Sequence, residues 1–292
     1  MQYDRFASRE GRSVSLIITL MSNNEYEERI LRWRAKKLDD LVRDNGWLAL
    51  AGLFWLNEGR NLIGSNPMCE VILPERAPTF VGIVELRGKI ARLQVAAGVP
   101  VKVNDKLVQK TILKSDKEPK PSYITWNDLR LVLHEHAGHY GIRIWDNQRR
   151  ARFTLPLLKW FPINKQFCFQ ARYTRYAEPK VSSQPDTFGE NVEDRLHGYV
   201  AFKYEGKTYK LDVTEKDDHK LFIKFRDLTS SKETYPPSRY CYTEPVDGDK
   251  VVLDFNYSYS PPCAFTEYAT CIFAPQQNNL PFRVEAGEIY RG

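Results

Sequence analysis

Residues 82–95 read Gly-Ile-Val-Glu-Leu-Arg-Gly-Lys-Ile-Ala-Arg-Leu-Gln-Val. Val84 and Leu86, then Ala91, Leu93 and Val95, fall at every second position, with Glu85, Arg87, Arg92 and Gln94 between them. That is the period of strands with one apolar and one polar face, interrupted at Gly88-Lys89. Short β elements of this kind continue outward through Asn61-Leu-Ile-Gly, Glu70-Val-Ile-Leu-Pro and Val101-Lys-Val-Asn, punctuated by Gly, Pro and Asn-Asp. Leu129–Leu133 and Tyr140–Trp145 read as a hairpin whose tip contains Ala137-Gly138. Gly198–Tyr204, Thr208–Val213 and Leu221–Phe225 read as further strands, with Glu205-Gly206 as a turn. The polar stretch 178–193, with Pro179, Pro185 and Gly189, reads as a loop. The expected fold is mostly β, a sandwich or partly open barrel.

One segment departs from this period. Ser22-Asn-Asn followed by Glu25, Glu27 and Glu28 supplies a helix cap and acidic first turn, and Tyr26, Ile30, Trp33, Leu38, Leu41 and Val42 recur at helical spacing until Gly46. An N-terminal amphipathic helix over 22–45 is expected. Before it, Val14–Met21 faintly imitates a signal peptide but lacks an A-x-A cleavage site, and a disordered segment or a misassigned start is the expectation for residues 1–21.

The 292 residues carry 42% hydrophobic and 13% aromatic side chains, values of a globular chain with a sizeable core. A net charge of +6 is a mild basic excess and a weak pointer to an anionic partner. Five cysteines without a C-x-x-C pair give no zinc-ribbon or thioredoxin motif, and a reducing, cytoplasmic setting is expected. Of these, Cys263 and Cys271 lie near enough in sequence to consider bonding.

Three groupings could carry chemistry. His134, His136 and His139 could gather a zinc ion, against the alternative of an exposed polar hairpin tip, which is the preferred reading; no metal site is expected. Residues 143–175 hold eight basic side chains, among them Arg143 and Arg152, against the single acid Asp146. A small anionic ligand fits such a surface better than nucleic acid does. Serine-nucleophile, P-loop and dinucleotide-binding motifs are absent. The densest polar grouping lies between 225 and 288. Asp227, Asp254, Glu285 and Glu288 supply carboxylates, Arg239 a cation, and Asn256, Asn278 and Asn279 amides, with Cys263 and Cys271 among them. The carboxylates could work as acid and base, or the same groups could clasp an irregular chain ending onto the sheet.

At these residues the chain resembles the uncharacterised DUF1684 family. The likeness rests on Trp33-Arg, Gly46-Trp-Leu-Ala-Leu-Ala-Gly-Leu-Phe-Trp-Leu with Glu58-Gly-Arg, Phe225-x-Asp-x-Thr with Thr234-Tyr and Arg239, Asp254-Phe-Asn, Pro261-Pro-Cys-Ala, Thr270-Cys, Asn279-Leu-Pro and Glu285-Ala-Gly-Glu. A Cys-Pro-Leu-Pro-like stretch of the family is here Cys271-Ile-Phe-Ala-Pro. The resemblance runs from about Tyr26 and implies a cytosolic, mostly β protein without a defined activity or cofactor.

Residues 59–146 also resemble a forkhead-associated (FHA) β-sandwich, through Gly59-Arg-Asn-Leu-Ile-Gly-Ser, Val71-Ile-Leu-Pro, Val84-Glu-Leu and Val101-Lys-Val-Asn-Asp. Ser65 stands where that family has a phosphate-gripping Arg. The expected organisation is therefore a helix at 22–45, an FHA-like sandwich at 46–155 and a second β unit at 156–292. Catalytic candidates are Asp227, Arg239, Asp254, Asn256, Glu285 and Glu288. Ligand-binding candidates are Arg143, Arg152, Cys263, Cys271 and Asn279. The expected role is small-ligand binding or hydrolysis in the second unit; the alternative is a protein-interaction module using the sandwich and residues 143–175.

Overall fold

The capping sequence at Ser22 opens a helix, α1 (Asn23–Val42), in a computed structural model that describes residues 22–154, 158–216 and 218–290. Ser22 and Glu25 form a reciprocal capping box: the Glu25 backbone N–H donates to Ser22 Oγ at 3.3 Å, and the Ser22 N–H donates to Glu25 Oε2 at 2.9 Å. The expectations for residues 1–21 lie outside the described residues.

The chain forms two compact units. Among the described residues, one lies within Asp39–Pro156 and Phe265–Thr270; the other lies within Met1–Leu38, Leu157–Ala264 and Cys271–Gly292. In the first, eleven strands make two sheets. They are β1 (Leu50–Trp55), β2 (Gly59–Gly64), β3 (Val71–Ile72), β4 (Gly82–Arg87), β5 (Ile90–Val95), β6 (Lys102–Val103), β7 (Lys106–Leu107), β8 (Lys110–Leu113), β9 (Tyr123–Trp126), β10 (Leu129–His136) and β11 (His139–Asp146). The sheet orders are β1-β11-β10-β9-β6-β7 and β3-β2-β4-β5-β8. The alternation in 82–95 is what makes this a sandwich. Val84, Leu86, Ala91 and Leu93 of one sheet share a core with Leu129, Leu131, Leu133, Ile142 and Ile144 of the other. The β10–β11 turn places both Ala137 and Gly138 at positive φ, as a type I′ hairpin requires.

The other unit is built on β12 (Lys159–Trp160), β13 (Cys168–Pro185), β14 (Asn191–Tyr204), β15 (Lys207–Glu215), β16 (Leu221–Phe225), β17 (Arg239–Tyr242), β18 (Lys250–Asp254) and β19 (Glu288–Ile289). Six of these form an antiparallel sheet in the order β17-β16-β15-β14-β13-β18. Its two edges approach each other: the Glu244 N–H just after β17 donates to the Val252 carbonyl of β18 at 3.0 Å. The curled sheet surrounds an aromatic-rich core of Phe169, Phe202, Phe225 and Phe255, into which the irregular ending contributes Leu280, Val284 and Ala286.

The stretch 178–193 is not a loop. Its two arms pair from Lys180↔Leu196 to Pro185↔Asn191, leaving only a short turn between β13 and β14. The sequence hides this because most of these side chains are exposed, so no apolar alternation marks the strands. Pro179 sits at a register break between Arg175 and Lys180, and Pro185 ends β13, so neither removes a needed interior donor.

Candidate functional site

The grouping between 225 and 288 is divided by the fold. Arg239 and Asp227 make a buried pair, with side chains 1% and 0% exposed. Arg239 Nη1 donates to Asp227 Oδ1 at 3.1 Å and to the Val284 carbonyl at 3.0 Å, and Nη2 donates to the Ala286 carbonyl. Asp227 also accepts from the Thr229 hydroxyl (2.9 Å) and from the N–H groups of Thr229 (3.1 Å) and Val284 (2.7 Å). Both carboxylate oxygens are thus engaged with neighbouring backbone and side chain. This constellation ties residues 284–286 to the sheet, which is the work of a clasp. Burial pushes the Arg239 pKa down, against the attraction of Asp227.

The Glu285-Ala-Gly-Glu motif has the same meaning. Gly287 sits at φ +82°, and a Cβ built there would lie 2.5 Å from the Ser258 carbonyl oxygen. Only glycine permits both the conformation and the approach. Glu285 is exposed and paired with Arg283 at 2.7 Å. Glu288 is buried, accepts the Ser260 N–H at 3.2 Å, and has its pKa raised to about 7 by burial.

Asp254 stands elsewhere. Its carboxylate accepts the Tyr26 hydroxyl of α1 at 2.8 Å, the Asn256 N–H at 2.9 Å and Asn256 Nδ2 at 2.8 Å. Asn256 Nδ2 also donates to the Asn164 carbonyl at 2.9 Å, and its Oδ1 accepts the Asn164 N–H at 2.9 Å. Burial raises the Asp254 pKa in spite of these donors. Of the six catalytic candidates, Asp254 alone lines a cavity of about 200 Å³ walled by Trp33, Tyr242, Tyr257 and Tyr259. Arg29, Lys37 and Lys220 bring three cations to it against Glu244 and Asp254.

Each wall is positioned locally. Arg29, Trp33 and Lys37 recur every four residues on one face of α1. Trp33 meets Tyr257 edge-on at 5.1 Å and Tyr259 at 6.2 Å. Lys37 Nζ lies 3.4 Å from the Tyr259 ring centroid, a cation–π contact. Arg29 is salt-bridged to Glu244, and Lys220 lies 3.2 Å from Asp218. The Tyr257 hydroxyl is buried without a hydrogen-bond partner among the described residues, and burial pushes its pKa up. The helix contribution to this cavity was not read from the sequence. Its signal is the four-residue recurrence on α1 together with alternate tyrosines at 240 and 242 and at 257 and 259.

The remaining candidates are structural in their surroundings. Arg143 is buried in the sandwich unit, with Nη2 3.0 Å from His134 Nε2 and 3.3 Å from Thr270 Oγ1. His134 Nδ1 lies 2.6 Å from Asp116 Oδ2, and burial lowers the His134 pKa. The exposed-tip reading of these histidines needs correction: His134 and His136 are buried and stacked at 5.8 Å, while His139 is exposed. Among the described residues, no group of three or more His, Cys, Asp or Glu could hold a metal ion. Arg152 donates to the carbonyls of Val42 and Asn147 and pairs with Asp44, so its guanidinium knits chain segments together rather than extending as a basic surface. Asn279 is exposed and bridges to Arg226. Ser65, at the expected phosphate-gripping position, turns its hydroxyl to the Ala77 carbonyl at 2.8 Å.

Residues 154–289 match the family model described as a protein of unknown function, DUF1684. The match takes in β12 to β19 and every cavity residue outside α1. No curated protein matches the chain. Similar solved structures include an uncharacterized protein of Haloarcula marismortui (28% identity over 48% of this chain and 80% of that one, TM-score 0.40). An FHA domain studied for phosphothreonine-dependent interactions shares 22% identity over 31% of this chain and 79% of its own, with TM-score 0.22. The FhaA FHA domain, solved in complex with an intracellular domain, shares 20% over 32% and 96%, with TM-score 0.23. No helix among the described residues is long and apolar enough to cross a membrane.

Proposed function

We propose that the unit carrying the DUF1684 match binds a small anionic molecule with a flat apolar body in the cavity between α1, the end of β17 and residues 252–259. The observation that carries this reading is the lining itself: four aromatic rings, three cations and two carboxylates around about 200 Å³. Aromatic faces supply apolar contact at little conformational cost, and the ammonium groups of Lys37 and Lys220 supply the charge that fixes an anionic end. Asp254 would oppose an anion if fully ionised. Its burial favours the neutral form, which lessens that repulsion.

Binding suits this cavity better than hydrolysis does. Asp254, the one cavity acid from the expected catalytic group, is already held by Tyr26 and Asn256, and the other acid, Glu244, by Arg29. A thermal-shift screen with small aromatic carboxylates and phosphate monoesters tests the proposal. A ligand specific for the folded state at about 100 times its Kd adds roughly 2.7 kcal/mol and raises Tm measurably. A panel in which neutral aromatics stabilise as well as the anions would refute the charge assignment.

A further inference from the structure

Two of the five cysteines are in contact. Cys263 and Cys271 lie in the same unit, and the Cys263 backbone N–H donates to Cys271 Sγ at 3.3 Å. The backbone around them is fixed from several sides. The Cys271 N–H donates to Thr187 Oγ1 at 3.2 Å, and its carbonyl accepts the Thr187 N–H at 3.1 Å. Tyr235 donates its hydroxyl to the Cys263 carbonyl at 3.3 Å, and Tyr240 donates to the Ile272 carbonyl at 3.2 Å. Cys263 retains partial exposure, whereas Cys271 is buried behind it.

We infer that Cys263 and Cys271 form a redox-modification site, in which Cys263 is oxidised by a peroxide and Cys271 resolves the product to a disulfide. The Cys263 thiolate attacks one peroxide oxygen, the O–O bond breaks, and Cys263 sulfenic acid and hydroxide result; the displaced thiol proton converts the hydroxide to water. The Cys271 thiol then attacks the sulfenic sulfur, the S–S bond forms and a second water leaves. In sum, two thiols lose two electrons and two protons to one peroxide, which becomes two waters.

The other thiols make the choice of Cys263 specific. Burial raises the pKa of Cys69 and Cys168 and pushes Cys241 up to about 12. The neighbouring Cys271 thiol lowers that of Cys263, against the opposing effect of burial. A greater thiolate fraction and partial exposure both favour reaction at this position. The neighbouring Cys263 thiol and burial keep Cys271 protonated, as befits the second thiol to react.

The test uses the full chain exposed to hydrogen peroxide, quenched with an alkylating agent and mapped by mass spectrometry. A dithiothreitol-reversible Cys263–Cys271 linked peptide is expected, forming about tenfold faster than oxidation at Cys69, Cys168 or Cys241. Cys271→Ser should halt Cys263 at a sulfenic acid that dimedone traps, and Cys263→Ser should give no link. Oxidation of Cys263 to sulfinic acid in the unsubstituted protein while Cys271 stays alkylatable would overturn the inference. So would equal reactivity of all five thiols. Because the wild-type readout needs no variant, poor folding of either serine variant leaves the test intact.

Discussion

The Tyr26 hydroxyl donates to the Asp254 carboxylate at 2.8 Å across 228 positions of sequence, and Asn256 Nδ2 donates to the same hydroxyl at 3.0 Å. Tyr26 lies on α1, one turn before Ile30 and on the buried side of the helix, so this one oxygen docks α1 on the end of β18. The cavity exists because that docking brings Arg29, Trp33 and Lys37 over Tyr257 and Tyr259. Substituting Tyr26 by Phe leaves the buried Asp254 short of a donor and should cost about 1–3 kcal/mol. Urea denaturation of Tyr26→Phe measures it. A midpoint equal to that of the unsubstituted protein would show that the helix docks by other means.

Arg239 and Asp227 carry the second clasp. Removing one partner strands a buried charge, and Arg239→Met should lose roughly 3–5 kcal/mol. The double substitution Arg239→Met with Asp227→Leu should recover part of this loss, since the stranded charge is then gone. Denaturant midpoints of the two variants against the parent decide it; an additive double variant would mean that the two residues act independently.

Gly287→Ala adds a methyl group at 2.5 Å from the Ser258 oxygen in a left-handed backbone conformation. A loss of at least about 1 kcal/mol is expected, whatever gain follows from a stiffer unfolded chain. The same substitution at Gly138, where positive φ is combined with open space, should cost less. Thermal melts of the two variants give the comparison.

Much of the fold was legible and the site was not, for a physical reason. Alternation in 82–95 and the Ala137-Gly138 and Glu205-Gly206 turns are local signals, and the hydrogen-bond ladder follows them directly. The arms of β13 and β14 between Lys180 and Leu196 expose one face and place polar Ser182, Gln184 and Asp194 on the more covered one, so no apolar alternation marked them as strands. In the site, residue type was a misleading guide. Asp227 and Arg239 looked like catalysts because they are charged and close in sequence, yet the carboxylate oxygens of Asp227 and the two Nη atoms of Arg239 are occupied by residues 229 and 284–286. Trp33 read only as part of the apolar recurrence of an amphipathic helix, and tertiary placement brought it, with Lys37, to the cavity of Asp254.

Glu288 makes stability depend on pH. Burial raises its pKa from the ordinary glutamate value of 4.5 to about 7 in the folded protein. Between these values the folded state holds a proton that the unfolded state has released, so stability falls as pH rises from 4.5 to 7 and then levels off. The loss attributable to this group is roughly 3 kcal/mol. Asp254, also raised, acts in the same direction. Glu288→Gln should flatten the slope of unfolding free energy over this window, as read from denaturant titrations at successive pH values. An unchanged slope would place the proton elsewhere.

On the proposed function, this unit meets its ligand at the Asp254 cavity rather than at the Arg239 clasp. Isothermal titration of the strongest-stabilising anion from the thermal screen, into the unsubstituted protein and into Lys37→Gln, tests it most directly. One site per chain is expected, with an affinity at least about tenfold weaker in the variant, a loss of about 1.4 kcal/mol. Equal affinity in the two proteins would contradict it.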